Sequence, residues 1–110
     1  MARTRISLQG NPVRGVPMEI RTMIAHAMET GYRPGADGAV IARNLIRRFR
    51  CSFDDGTRIE PVFEAELFPA VAANPYIAFH FTPPGNGSLR FVWEGDQGFV
   101  QTETLDVRVA

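Results

Sequence analysis

Residues 45–67 read LIRRFRCSFDDGTRIEPVFEAEL, and the reading of this stretch decides the fold. Leu45, Phe49, Cys51 and Phe53 occupy odd positions and alternate with Arg48, Arg50 and Ser52, although Ile46 and Arg47 break the pattern at its start. Successive side chains of a strand point to opposite faces, so one face of this segment is core, with Cys51 in it, and the other is wet. Asp54-Asp55-Gly56 is expected to supply the positive φ angles of a tight hairpin turn. Beyond it Ile59, Phe63, Ala65 and Leu67 alternate with Glu60, Glu64 and Glu66, a second strand that sets its glutamates beside the arginines of the first.

Working outward from this hairpin, the period of two persists. Val16, Met18, Ile20, Thr22 and Ile24 form an inward set against Pro17, Glu19 and Arg21, with a short strand before them near Arg5–Leu8. Downstream, Leu67–Pro75 (LFPAVAANP) reads as a crossover between sheets, with one helical turn between its prolines. Tyr76–Phe81 is a strand apolar on both faces, Ile77, Phe79 and Phe81 on one and Tyr76, Ala78 and His80 on the other. Past a turn at Pro83–Gly87, Leu89, Phe91 and Trp93 alternate with Ser88, Arg90 and Glu94, and Val92 is the apolar exception. Gly95–Gly98 closes another hairpin, and Phe99–Val109 finishes with Leu105, Val107 and Val109 inward.

About seven short strands with regular turns describe an all-β, immunoglobulin-like antiparallel sandwich, expected to occupy residues 1–110 as a single domain. A chain of 110 residues buries enough surface for its own core. With one cysteine it has no internal disulfide, which points to the fibronectin-type relatives of this architecture. The stretch His26–Arg43 is too long for a simple connection, and loops of that length in compact domains are commonly functional.

Arginine supplies all 12 basic residues and is balanced by 12 acidic ones, so net charge does not drive nucleic-acid binding. Apolar runs are too short to insert in a membrane. The basic N-terminus has no apolar stretch behind it, which taken alone suggests the cytoplasm.

Candidates for chemistry are few. Cys51 is a possible nucleophile, but its parity buries it between Phe49 and Phe53, where a thiol is inert. His26 and His80 could form an acid/base pair or ligate a metal, yet nothing in the sequence brings them together, and no metal or other cofactor is expected. Arg43, Arg47, Arg48 and Arg50 could dock an anion or an acidic partner, or lie on a solvated face paired with Glu60, Glu64 and Glu66. No phosphate loop, paired catalytic carboxylates or base-stacking aromatic strand is present. The second apolar face of Tyr76–Phe81, reinforced by Val92, needs a cover, either the long loop or another protein. Tyr76, Ala78 and Val92 are therefore the expected partner contact, and His26, Met28, Glu29, Tyr32 and Arg33 a candidate docking loop.

HAMETGYR (His26–Arg33), IRRFRCSF (Ile46–Phe53), AELFPAVAANPYIAF (Ala65–Phe79), WEGDQGF (Trp93–Phe99) and TET (Thr102–Thr104) together resemble the SoxZ family of thiosulfate-oxidation proteins over nearly the whole chain. One departure is Ala27, where the family usually has proline after the histidine. The resemblance implies a non-catalytic sandwich in a tight heterodimer with SoxY, whose cysteine on a glycine-rich arm holds the sulfur, and transient contacts with other Sox proteins. It implies the periplasm instead of the cytoplasm, reached with a partner that bears the export signal. The sequence closes on LDVRVA without a cysteine, so the covalent sulfur is expected on the partner. Two alternatives stand beside this expectation: a thiol enzyme using Cys51, and a free-standing sandwich that binds an anion through its arginines.

Overall fold

A computed structural model of the chain describes residues 3–26, 28, 38, 44–67 and 73–110. These residues form seven strands: β1 (Thr4–Leu8), β2 (Met18–Ile24), β3 (Ile46–Asp54), β4 (Ile59–Glu66), β5 (Tyr76–Phe81), β6 (Gly87–Gly95) and β7 (Val100–Val107). A 3-10 turn at Asp96–Gly98 joins the last two. The strands form a three-stranded sheet, β1-β2-β5, and a four-stranded sheet, β4-β3-β6-β7. Every neighbouring pair is antiparallel. The sandwich is of the fibronectin type, because β4 pairs with β3, whereas the constant-type immunoglobulin arrangement adds its fourth strand to the other sheet. The segment between β4 and β5 does switch sheets; of the stretch between Pro69 and Pro75 where a helical turn is expected, residues 70–72 lie outside the described residues.

Alternation builds the core. Met18, Ile20, Thr22 and Ile24 of β2, Phe49, Cys51 and Phe53 of β3, Phe79 and Phe81 of β5, and Leu89, Phe91 and Trp93 of β6 are all buried. Phe49 is the hub, with ring centroids at 5.2 Å from Trp93, 5.9 Å from Phe79 and 6.3 Å from Phe63. Two aromatic pairs tie the sheets together along the edge where β4 and β5 meet, Phe63 on Phe79 at 4.8 Å and Phe53 on Phe81 at 5.2 Å. Along the opposite edge, Thr4 Oγ1 of β1 donates to Glu103 Oε2 of β7 at 2.6 Å.

Three local expectations are corrected. Val16 is not inward, because β2 begins only at Met18 and Val16 stays half exposed. Ile59 is not inward either and is 65% exposed. The ladder shifts register between Cys51 and Ser52, leaving Val62 as an extra residue, and this bulge turns Ile59 and Pro61 to the outer face beside Asp54 and Ser52. The hairpin tip needs a positive φ only at Gly56 (97°). Asp54 and Asp55 serve instead as acceptors, Asp54 Oδ1 from the Gly56 amide and Asp55 Oδ1 from the amides of Thr57 and Arg58.

Candidate functional site

The outer face of the four-stranded sheet follows from the same register. Arg48, Arg50, Ser52 and Asp54 of β3 point outward, and β6 sets Glu94, Val92, Arg90 and Ser88 directly opposite them. β7 adds Val100 and Thr102, opposite Glu94 and Val92. Sheet twist and the β4 bulge leave a concavity of about 430 Å³ here, lined by Ile59, Pro61, Val92 and Val100 and, between them, by Arg50, Ser52 and Arg90. Ile59 and Val100 are 65% and 63% exposed.

Two arginines of the run on this sheet already have carboxylate partners. Arg50 Nη2 lies 2.5 Å from Glu94 Oε1, and Arg47 Nε 2.6 Å from Asp96 Oδ1. Glu66 and Glu64 stand opposite Arg48 and Arg50 as expected, whereas Glu60 faces Phe53 and pairs with Arg58 at 2.7 Å. Arg47 and Arg50 are therefore not free forks waiting for an oxyanion. Arg43 lies outside the described residues.

Tyr76, Ala78 and Val92 do not share a face, which corrects the expectation of one patch. Tyr76 and Ala78 project from β5 in the three-stranded sheet, opposite Met23 and Arg21 of β2, whereas Val92 belongs to β6 in the other sheet. Tyr76 is 60% exposed and Ala78 and His80 are exposed as well.

At the end of the sandwich where β2 leaves and β3 enters, His26 and Asn74 clasp each other. The His26 amide donates to Asn74 Oδ1 at 2.9 Å, and the Asn74 amide donates to the His26 carbonyl at 2.7 Å, with Asn74 at φ 55°. His26 Nδ1 accepts from the Met28 amide at 3.0 Å, so the neutral ring carries its proton on Nε2. Burial pushes the imidazolium below its usual range, opposed by the Asn44 side chain. The ring meets Phe99 edge-on at 5.2 Å. Met28 is buried, not displayed, and its Sδ accepts from the Ile46 amide at 3.3 Å. Of the candidate docking loop, Glu29, Tyr32 and Arg33 lie outside the described residues.

His80 faces outward from β5, so the two histidines do not converge. Among the described residues no group of three or more His, Cys, Asp or Glu side chains could hold a metal ion. Also among them, no helix is long and apolar enough to cross a membrane. Cys51 is 1% exposed, and burial pushes its thiol up to about 12. At neutral pH it is not a thiolate, and the thiol-enzyme alternative loses its nucleophile.

The class of protein is set by solved structures. The superoxide reductase (neelaredoxin) of Ignicoccus hospitalis aligns with a TM-score of 0.76 at 15% identity, over 99% of this chain and 82% of its own. The superoxide reductase of Nanoarchaeum equitans aligns at 0.69 and 12% identity, over 94% and 90%. At such identities the likeness is one of fold alone: an immunoglobulin-like sandwich. None of the curated proteins matches the chain. The family is narrower than the class. The family described as "Sulphur oxidation protein SoxZ" matches residues 6–106, and the chain belongs to it, with a role in the Sox sulfur-oxidation system.

Proposed function

We propose that the chain is the non-catalytic subunit of a sulfur-carrier complex for thiosulfate oxidation, in which it binds and stabilises a SoxY chain and offers a docking surface to other Sox enzymes. On this reading the partner bears the sulfur on its cysteine, and the pair works in the periplasm after export together. The observation that carries the reading is the outer face of β4-β3-β6-β7. The wet side of an antiparallel sheet is ordinarily polar, yet here Ile59 and Pro61 on β4 and Val92 and Val100 on β6 and β7 line one concavity, interleaved with Arg50 and Arg90. Exposed apolar side chains interleaved with arginines have the composition of a protein interface. Membership of the SoxZ family supports the pathway.

Val92→Arg tests the reading, because it puts a second guanidinium into this concavity beside Arg50 without touching the core. The expected result is a folded chain that no longer co-purifies with SoxY. A complex of undiminished affinity from this variant would contradict the proposal.

A further inference from the structure

Among the described residues the sandwich has four edge strands, and three of them are guarded. β4 carries Pro61, a bulge and three glutamates. β1 is only 5 residues long, and β7 turns Glu103 inward to meet Thr4. These are the devices by which sheets refuse further strands. β5, with 6 residues, has no proline, bulge or inward charge within it. It reads YIAFHF, closed by Pro75 before it and by Pro83 and Pro84 beyond Thr82.

The hydrogen-bonding phase of β5 follows from a single bond. The Ile24 amide donates to the Pro75 carbonyl at 3.2 Å, and antiparallel ladders alternate, so Ile77, Phe79 and Phe81 are the residues bonded to β2. The N–H and C=O groups of Tyr76, Ala78 and His80 therefore point away from the sheet, along an edge that no strand among the described residues covers. The three-stranded sheet is also one strand narrower than the sheet it covers. Val62, Phe63 and Ile77 are accordingly only half buried. Beside this edge lies a groove of about 330 Å³ that includes Val62, Phe81, Pro84 and Glu60. Pro61 lines both this groove and the concavity of the four-stranded sheet, so the two surfaces are continuous around β4.

We propose that the free edge of β5 takes up an extended segment of the companion chain as a fourth strand. Its main chain pairs with Tyr76, Ala78 and His80, and its alternate side chains, small or apolar, enter the groove against Val62 and Phe81. The inference rests on the partner-binding reading above and adds the mode of attachment. A second copy of this chain is the disfavoured occupant. Pairing β5 with β5 would set two β4 edges against each other, each with Glu60, Glu64 and Glu66 exposed.

Amide hydrogen exchange on the full chain, alone and with SoxY, tests this residue by residue. Alone, the amides of Ile77, Phe79 and Phe81 are expected to be protected and those of Tyr76, Ala78 and His80 to exchange freely. In the complex the latter three should slow by about 100-fold or more. Ala78→Pro, which deletes one outward donor and leaves the β2 ladder intact, should weaken SoxY binding at least about tenfold while the variant stays folded. A complex in which the three amides still exchange freely overturns the edge proposal and leaves the partner reading standing. Failure of the unmodified chain to bind SoxY overturns both. Protection already present in the isolated chain, whether as monomer or dimer, shows the edge filled by this chain itself and equally overturns the proposal.

Discussion

Replacing Met28 by alanine separates anchoring from docking at the β2–β3 connection. Met28 is 5% exposed, and its Sδ accepts the Ile46 amide at 3.3 Å where β3 begins. Alanine removes Cγ, Sδ and Cε, which at about 0.8 kcal/mol per buried methylene amounts to about 2.4 kcal/mol of transfer free energy. The Ile46 amide would also lose its acceptor, although thioether bonds are weak, so the expected loss is about 3 kcal/mol, within the range for buried Met→Ala. Backbone strain does not enter, because alanine is no better suited than methionine to the φ of 55° at this position. For a domain of this size the melting temperature should fall by about 12 to 18 °C. Met28→Leu keeps the volume, forfeits only the sulfur contact and should cost about 1 kcal/mol. Urea titrations of both variants check the figures, with SoxY affinity measured on the leucine variant. A loss below about 0.5 kcal/mol for Met28→Ala would refute the anchoring argument, because a truly buried methionine cannot be removed so cheaply.

Three other outcomes are expected. Burial raises the Cys51 thiol from 9.0 to about 12, so the unfolded chain releases its proton first and stability declines as pH rises from 9 toward 12. The loss is about 1.4 kcal/mol at pH 10 and should vanish in Cys51→Ala, while alkylation of the native thiol at pH 7.5 should proceed only at the rate of global unfolding. Asp55 is held at about 2 by the Arg58 and Thr57 amides, so its contribution is present above pH 3.8 and lost as pH falls through 2; an NMR titration should find its midpoint there, with the Thr57 and Arg58 amides losing protection together. Gly95→Ala would drive a Cβ into the Leu45 carbonyl, backbone against backbone, and should cost about 1 to 3 kcal/mol in urea denaturation.

Much of the sandwich was legible because the pleat writes burial into odd and even positions. Leu89, Phe91 and Trp93, all fully buried, fall on the parity read from the sequence. That parity fails where an extra residue enters a strand. One residue, Val62, reverses the sense of everything before it in β4, and Ile59 emerges into solvent. Pro61 was the available signal, because a proline within a strand pattern marks an edge or a bulge. The candidate surface was harder to read because it depends on which strands become neighbours. Val92 and Tyr76 are both apolar residues on outward positions, but alternation says nothing about which sheet a strand joins. Val100 was within reach, since the parity that turns Leu105 and Val107 inward turns Val100 outward. Met28 was not, because left-handed backbone at a methionine has no sequence signature.

The central claim is that this sandwich exists to hold a second polypeptide, and the mass of the native particle tests it most directly. Chain and SoxY, produced together and measured by sedimentation at micromolar concentration, should travel as a single one-to-one species whose unfolding midpoint lies well above that of either component alone. Two independent species, each as stable apart as together, would contradict the account.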